Sequence, residues 1–558
     1  MQSTTCLSAR GSQDRRVVFQ PATHRALQRG IRQITQAVRP TLGPRPRIVA
    51  IDRTLDERMP ELLDDGGTIA KRIIQIGDRH ADVGAMLARE CLWRVHDQVG
   101  DGTATTAVLL QSIYDQGVRY LAAGGNPMRL HAHLQEGMRV VLDHLTDTAV
   151  PVSGKKALAQ VAETICHDPP LAELLGEIFD IIGEYGRLEV RLGQGRELRR
   201  EYMEGMYWER GLLSPRLATD QVRRRAEFED AAILITDLSI DEPRQLFPAL
   251  EVALRSRVGS LLIVASKISD QTIALLLTNR DSDRFQATAV KIPGWDAESR
   301  VAAMEDLSAL TGGSVFTSLA GQTLDRVGQG DLGHARRVWA DMQQFGIVGG
   351  QGDPHALREH VAELRRLFAR TEEPAERERL RERIGKLMGG SATLWVGGVT
   401  EMDVDRRVER AKRTAAALRG ALAQGIVPGG GVALLESQST LEEKMDACTD
   451  ADARAAYRLL LRAVEEPIRT IIANAGYEPS AALARIGLNG SKDGFDARSG
   501  AVVDTAEAGI YDAAFTQKMA VCAAVSTAAQ ALTVDVLIHR PRQPKRAPRR
   551  TPGKEKDL

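Results

Sequence analysis

The chain has 558 residues, which is too many for one hydrophobic core and predicts three or four domains. Aliphatic cores are expected, because hydrophobic residues make up 43% of the sequence and aromatic residues only 4%. Lysine plus arginine equals aspartate plus glutamate at 74 each, so the composition excludes an overall charge bias towards nucleic acid or anionic membranes.

Neither the cysteines nor the apolar segments point to secretion or to a membrane. The five cysteines are scattered, without a C-x-x-C pair or the spacing of metal ligands. Residues 1–18 lack the apolar stretch of a secretory signal. The longest apolar run, 519–538, contains Gln530 and Asp535 and predicts a buried helix of a soluble protein. We therefore expect a cytoplasmic protein that contacts no membrane.

Helical patterns fill residues 22–147. Apolar residues recur at helical spacing over 26–38 until the turn Thr41–Pro44 stops the run. Further helices are predicted over about 83–99, 105–122 and 128–148.

Two glycine-containing loops each open onto an apolar helical run. One is Gly100–Thr106, and the other is Gly429–Gly431. Glycines let the main chain approach a phosphate closely, and the N–H groups at a helix start donate to it. Asp101 can hold a magnesium ion through its carboxylate. Each loop alone is also explained by an ordinary helix-entry turn, whereas the two together favour a nucleotide site.

The hydrophobic period changes at about residue 188, where strands begin to alternate with helices. The predicted strands cover 231–236, 260–265, 287–292 and 314–317, and the helices between them cover 246–258, 270–279 and 298–310. This alternation predicts a smaller α/β domain whose strands are buried on both faces.

The charged pattern over 355–387, broken at 372–374, predicts an antiparallel helical hairpin. A strand at 392–396 and a long helix at 403–424 follow, and helices then dominate to residue 538. We therefore predict a multidomain α and α/β fold, in which an α/β part is inserted into a mostly helical domain formed by the two ends of the chain.

In order and spacing these motifs resemble the bacterial group I chaperonins, the GroEL family, of which the chain looks like a divergent member over about residues 17–538. The matching stretches are 41–44, 100–103, 125–128, 204–206, 210–215, 310–313 and 429–434. The resemblance implies a discontinuous equatorial ATP-binding domain, a small hinge domain and an inserted apical domain that binds unfolded chains. The implied segments are 1–147 and 424–538 (equatorial), 148–203 and 391–423 (hinge) and 204–390 (apical).

The resemblance also implies a nucleotide site for ATP and Mg²⁺. The matching ATP-binding positions are Thr41, Leu42, Gly43, Pro44, Asp101, Gly102, Thr103, Ala104, Thr105, Gly430, Asp496, Ala497 and Asp512. Asp101 is also the implied metal ligand, and Asp65 matches an aspartate near the attacking water. Three positions depart from the family pattern: Ala104 replaces threonine, Asp496 replaces asparagine, and Asp64 replaces a phosphate-contacting lysine.

A further departure concerns hydrolysis. By a gapless count, Arg413 falls where the family carries the aspartate that aligns water at the γ-phosphate. Arginine cannot act as a base at neutral pH, although it can bind phosphate. Hydrolysis is therefore expected to be slow or absent while nucleotide still binds. The alternative is that Glu409, Asp65 or Asp101 takes over the missing role.

An apolar client-binding groove is the second site that the resemblance implies. Its matching residues are Leu212, Leu217, Phe247, Leu250, Ile273 and Leu277. The pairs 247/250 and 273/277 each lie on one helical face. Taken alone these stripes would be read as core, but the resemblance makes them an exposed groove. Arg216 replaces an aromatic residue at its rim.

The expected function is that of an ATP-binding chaperonin subunit that captures unfolded polypeptides in a sevenfold ring, single or double, with a small lid co-chaperonin. The alternative is a non-hydrolysing holdase or scaffold, in its own rings or mixed with a paralogue. A small-molecule phosphotransferase has little support, since no acid/base constellation beyond the named aspartates is evident. The basic, proline-rich tail 539–558 predicts disorder; it is either a solubilising segment or a binder of acidic clients or nucleic acid.

Overall fold

Two compact units make up the structure, a computed structural model that describes residues 17–52, 60–193, 195–203, 206–221, 223–256, 258–278, 285–388, 391–489 and 493–539. The described residues up to Val152 and those from Ala423 onward form the first unit, and the residues between them form the second. The predicted multidomain α and α/β fold is confirmed. The finer segment boundaries stay predictions, and the tail residues 540–558 lie outside the described residues.

Within the described residues the helices are α1 (Ala22–Val38), α2 (Gly66–Arg72), α3 (Arg79–Val99), α4 (Thr103–Ala122), α5 (Pro127–Asp147), α6 (Lys155–Cys166), α7 (Pro169–Ile182), α8 (Phe247–Arg255), α9 (Asp270–Thr278), α10 (Ala297–Thr311), α11 (Pro354–Arg370), α12 (Pro374–Leu387), α13 (Glu401–Gln424), α14 (Val432–Ala447), α15 (Ala451–Asn474), α16 (Pro479–Asn489) and α17 (Ala514–Leu532). None of them is long and apolar enough to cross a membrane.

The strands are β1 (Val17–Val18), β2 (Val49–Ile51), β3 (Glu61–Leu63), β4 (Arg187–Leu192), β5 (Arg199–Met203), β6 (Met206–Trp208), β7 (Ala226–Thr236), β8 (Ser239–Ile240), β9 (Ser260–Ala265), β10 (Lys267–Ile268), β11 (Gln286–Lys291), β12 (Val315–Phe316), β13 (Gly333–Ala340), β14 (Phe345–Gly350), β15 (Ser391–Val396), β16 (Ile426–Pro428), β17 (Asp493–Asp496), β18 (Ala501–Asp504), β19 (Tyr511–Ala513) and β20 (Leu537–Ile538).

The core of the first unit lies between helices α1, α3, α4, α5, α15 and α17. Helix α17 packs closely because its buried face is made of small residues, including Ala520, Ala524 and Ala528, which are fully buried. The sequence predicted a helix up to residue 538, but α17 ends at Leu532, and residues 537–538 instead pair antiparallel with β1. His539, expected in the tail, is buried, and its Nε2 lies 2.7 Å from Nδ1 of His80.

The second unit is built on a seven-stranded mixed sheet in the order β11-β9-β7-β13-β14-β6, with β12 beside β7. Strands β11, β9 and β7 are parallel, and every residue of β9 is buried, as expected for a strand covered on both faces. Strands β4, β15 and β5 form a separate sheet. The predicted hairpin is α11 and α12; both Arg383 and His360 bond to the buried carboxylate of Asp306, which fixes the hairpin to α10.

Candidate functional site

The start of α4 is an open helix N-terminus built around a glycine. Gly102 is left-handed (φ 80°), and a Cβ at this position would lie 2.8 Å from Cγ2 of Thr516, so both backbone conformation and space require glycine. No side chain caps this helix, whereas Asp65, Asp78 and Asn126 cap α2, α3 and α5. Its first-turn N–H groups therefore suit an anion.

Three sequence-distant segments meet beside this helix start. A Cβ on Gly66, the first residue of α2, would lie 3.3 Å from Oγ1 of Thr41 and 3.6 Å from Cβ of Thr103. The predicted turn at Thr41, the start of α2 and the start of α4 are therefore in van der Waals reach of one another. The structure thus brings together two of the segments predicted to touch the nucleotide.

Asp65 is held by its own helix. Its Oδ2 accepts hydrogen bonds from the backbone N–H of Thr68 at 2.7 Å and from the Thr68 hydroxyl at 2.6 Å, and it lies 3.6 Å from Nδ1 of His96. The carboxylate is nearly buried, so its orientation is fixed. Asp64 is half-buried next to it.

Asp512 contacts the glycines before α14 and lies near Asp101 of the loop Gly100–Thr106, which we call the phosphate loop. Strand β19 pairs with β16, and the Asp512 carboxylate accepts hydrogen bonds from the N–H groups of Gly430 and Gly431 and from Nε2 of Gln517 at 2.9 Å. Burial of the carboxyl group raises the pKa of Asp512 to about 7, and the nearby Asp101 carboxylate adds to the rise. A cation at this position would relieve the repulsion between the two aspartates.

Two of the segments predicted to bind ATP share one apolar cluster. Leu42 and Ala497 pack in it with Val432 and Ile471. Nδ2 of Asn474 donates to the carbonyl oxygens of Arg39 and Leu42, both at 2.9 Å, and so fixes the turn that contains Leu42, Gly43 and Pro44. Leu42 and Ala497 are thereby held against the same apolar cluster.

Asp496 performs a local role. Burial opposes its ionisation, but hydrogen bonds from Ser499 and from the backbone N–H of Arg498 outweigh this effect and hold the pKa of Asp496 below its usual value. The two backbone bonds, 2.8 Å from Arg498 and 3.2 Å from Ser499, close the turn between β17 and β18. The aspartate at this position therefore orders the turn that carries Ala497.

Two polar residues that the sequence analysis missed also lie here. Oγ1 of Thr516 and Oε1 of Gln517 are buried and have no hydrogen-bond partner among the described residues. Thr516 contacts Gly102 closely, and Gln517 bonds to Asp512, so both sit beside the phosphate loop. Their position five residues or fewer after Asp512, at the start of a helix, was the available signal. Buried polar atoms of this kind are usually satisfied by a ligand or water.

Arg413 lies on α13 in the second unit and is half-buried. Glu409, one turn earlier, is exposed and accepts a hydrogen bond from Nζ of Lys412 at 2.9 Å. The acidic residue considered as a substitute for the missing aspartate is thus already engaged in a surface ion pair.

The six predicted client-binding residues do not form one open groove. Phe247 is 51% exposed, and Leu250 and Leu277 are half-buried. The remaining three, Leu212, Leu217 and Ile273, are 6%, 3% and 5% exposed and belong to the core of the second unit.

The burial of Leu212 and Leu217 is explained by their contacts with β11. Leu212 forms a β-bridge with Val290, and the carbonyl oxygen of Leu217 accepts from the Thr288 hydroxyl at 3.3 Å, so both leucines are fixed against β11. The sequence expectation of an open groove is therefore corrected to a smaller surface on α8 and α9.

Comparison with known proteins adds a family and a fold. A model of the TCP-1/cpn60 chaperonin family matches residues 34–542 of the chain. The structure is similar to that of the chaperonin gp146 from the bacteriophage EL 2 (Pseudomonas aeruginosa), determined in the presence of ATP-BeFx. Two crystal forms match with TM-scores of 0.69 and 0.61, each at 19% sequence identity over 95% of this chain and 100% of that one.

Proposed function

The chain belongs to the TCP-1/cpn60 chaperonin family, and from this premise we propose that it binds ATP with Mg²⁺ in its first unit and captures non-native polypeptides on its second. The observation that carries the nucleotide proposal is the convergence of the Thr41 turn, the uncapped start of α4 and the Asp512 carboxylate with the glycines before α14. The structural likeness to gp146, determined with ATP-BeFx, supports it through the fold.

The residues present fit a magnesium nucleotide. Mg²⁺ is commonly held by one or two carboxylates together with substrate phosphates, and Asp101 and Asp512 supply two neighbouring carboxylates. No group of three or more metal-binding side chains occurs among the described residues, so phosphates would have to complete the coordination. A bound Mg²⁺ ion would supply the positive charge that balances these aspartates, and ATP would supply the phosphate bond to be cleaved.

The chain's own groups would have separate roles around that ligand. The first-turn N–H groups of α4 and the hydroxyls of Thr103 and Thr105 donate to phosphate. Thr516 brings a further buried hydroxyl, whose donor has no partner among the described residues. Leu42 and Ala497 exclude water from the base. Asp65, fixed by Thr68, orients solvent on the phosphate side.

Polypeptide capture is placed on α8 and α9. Phe247 and Leu254 are 51% and 56% exposed on α8, and Leu250 and Leu277 add half-buried apolar surface. Exposed apolar side chains that lie together mark an interaction site. An unfolded chain offers the complementary apolar segments.

Ring assembly is supported by open sheet edges in the first unit. Strands β1 and β20 form one two-stranded sheet and β2 and β3 another, and such pairs are marginal by themselves. Apolar side chains exposed on or beside them are Val17, Phe19, Ile48, Leu62 and Ile538. Unpaired edges invite another chain, which supports association of subunits. From the family resemblance we propose that the assembly is a cytoplasmic homo-oligomeric ring of seven, single or double, that takes a small lid co-chaperonin.

A second candidate is favoured by Arg413. If no carboxylate replaces the family aspartate, the protein binds nucleotide without turning it over and acts as a holdase or scaffold, in its own rings or in rings mixed with a paralogue. Closure of the ring subunits would then follow nucleotide binding alone.

The test of capture is suppression of aggregation of a chemically unfolded protein by the purified chain, with and without Mg·ATP. We expect suppression without nucleotide and release of the bound polypeptide when Mg·ATP is added. Absence of suppression under both conditions would contradict the capture proposal. Suppression without release would favour the holdase.

A further inference from the structure

A cluster of arginines follows the 3₁₀ turn Pro215–Leu217 in the second unit. Between residues 212 and 225 the chain carries four arginines, at 216, 223, 224 and 225, against the single acid Asp220. Arg216, Arg223 and Arg224 are exposed. Arg225 is committed to the fold, because its guanidinium pairs with Glu227 at 3.6 Å and stacks over the Trp339 ring at 4.8 Å.

The arginines sit on a braced hairpin. Asp220 and Arg225 exchange backbone hydrogen bonds of 2.8 and 3.1 Å, and the Thr219 hydroxyl donates to the Arg225 carbonyl at 3.2 Å. Oδ1 of Asp220 accepts from the backbone N–H of Arg223 at 2.9 Å. The Arg223 guanidinium itself approaches Asp220 no closer than 3.8 Å, from Nε to Oδ2, and the Arg223 side chain remains 83% exposed. We call residues 219–221 and 223–225 the arginine hairpin; residue 222 lies outside the described residues.

Arg224 has an unusual backbone for its residue type. Its φ is 51°, in the left-handed region, which is unfavourable for a residue with a Cβ. The cross-strand bonds between residues 220 and 225 impose this conformation. The arginine hairpin therefore holds its cationic side chains on a fixed backbone, which a flexible surface loop would not do.

The hairpin borders the apolar surface proposed to bind clients. Nε2 of Gln221 donates to the carbonyl oxygen of Ala218 at 2.6 Å and reaches that of Arg216 at 3.5 Å, which folds the hairpin back onto the 3₁₀ turn. That turn packs against α9, the helix that carries Leu277. The charges on α8 largely cancel nearby, since Glu251 and Arg255 pair with each other. On the hairpin side the three exposed arginines outnumber Asp220 and the exposed Asp270 of α9, so that side of the border is net positive.

We infer that the arginine hairpin makes the protein selective for unfolded polypeptides whose apolar segments are flanked by aspartate or glutamate. This inference rests on the proposed capture function and specifies its client class. Guanidinium groups form bidentate bonds to carboxylates, and exposed cations attract acidic segments before contact. A polypeptide is favoured over nucleic acid, because three exposed arginines beside apolar side chains match a mixed acidic and apolar segment, whereas strong phosphate-backbone binding uses a longer track of cations.

The experiment measures binding of three fluorescent probes to the full-length protein by anisotropy at low and high salt. Two are unstructured peptides with the same apolar core, flanked by glutamates in one and by glutamines in the other, and the third is a single-stranded RNA. The test variant is Arg223→Ser/Arg224→Ser. The charge-matched control is Arg366→Ser/Arg370→Ser on the exposed face of α11.

We expect wild type to bind the glutamate-flanked peptide about three- to tenfold more tightly at low salt, since two or three exposed ion pairs give gains of this size. The hairpin variant should lose this preference and still bind the glutamine-flanked peptide as wild type does. The control variant should keep the preference for the glutamate-flanked peptide. Equal binding of both peptides by wild type would overturn the inference while leaving capture intact. Failure to bind either peptide would instead remove the capture proposal. Displacement of the acidic peptide by the RNA, with loss of RNA binding in the hairpin variant, would reassign the arginines to nucleic acid.

Discussion

The candidate nucleotide site and the candidate client surface were both predicted from short motifs, but they differ in how many of the predicted residues lie where the function needs them. In the first unit, residues from five separate segments make close contacts: Gly66 lies next to Thr41 and Thr103, and Asp512 bonds to Gly430. In the second unit, half of the predicted apolar set is in the core, and Phe247 is its most exposed member.

The difference follows from what each residue type has to do. A glycine at a left-handed position and an aspartate at a helix start each have few alternative roles. The family resemblance singled out Gly102 and Asp65, and the structure has them at the starts of α4 and α2. Leucine and isoleucine serve a core as readily as a groove, and helical spacing shows only that they share a face. Which face meets solvent depends on the sheet behind the helix, and β11 fixes Leu212 and Leu217 there.

The largest expected effect tests whether the candidate nucleotide site has kept its binding geometry but lost the ability to hydrolyse ATP. Arg413→Asp should raise steady-state ATP hydrolysis by about 10²–10⁴-fold, because a restored carboxylate aligns the attacking water in the transition state. Phosphate release from wild type and variant is the measurement. If wild type already turns over at chaperonin-like rates, Glu409→Gln and Asp65→Asn would identify the carboxylate that does the work.

The next effect separates the buried from the exposed members of the client set. Ile273→Ser should lower the free energy of unfolding by about 2–5 kcal/mol, because it leaves a cavity and buries a hydroxyl. Phe247→Ser should change that free energy by less than about 1 kcal/mol and weaken capture of unfolded polypeptide. Denaturant unfolding and aggregation suppression, measured on both variants, give the comparison. Normal capture by Phe247→Ser would leave α8 without a client role.

Sequence reasoning recovered much of the fold for a related reason. Strand β9 and helix α9 were predicted to within one residue at each end, because strongly apolar or periodic segments have few alternatives. The hydrogen bond from Gln517 to Asp512 and the turn closed by Asp496 escaped prediction, since they depend on how β16 and β19 pair and on the hairpin β17–β18. Short strands of three or four residues carry too little periodicity to be found.

A smaller effect tests whether the α4 start needs glycine for the ligand or only for the fold. Gly102→Ala should weaken Mg·ADP binding at least about tenfold, since its Cβ crowds Thr516 and shifts the donors. Gly124→Ala is the matched control: Gly124 is also left-handed (φ 99°), but a Cβ there meets nothing within 4 Å. Both variants should lose about 1 kcal/mol of stability, and only the first should lose nucleotide binding by calorimetry. Equal affinities in the two variants would mean that α4 does not receive the phosphates.

The smallest effect concerns Asp64, where the family carries a lysine. A carboxylate near a polyphosphate opposes binding, but Asp64 is only half-buried, so solvent and salt screen much of the repulsion. Asp64→Asn should therefore raise Mg·ADP affinity about threefold at low ionic strength, and Asp64→Lys somewhat more. Both gains should shrink in high salt. A gain with lysine but none with asparagine would mean that a new phosphate contact is needed. Loss of affinity in both variants would mean that Asp64 itself helps to hold the magnesium ion, and the departure from the family pattern would then be a further metal ligand beside Asp101 and Asp512.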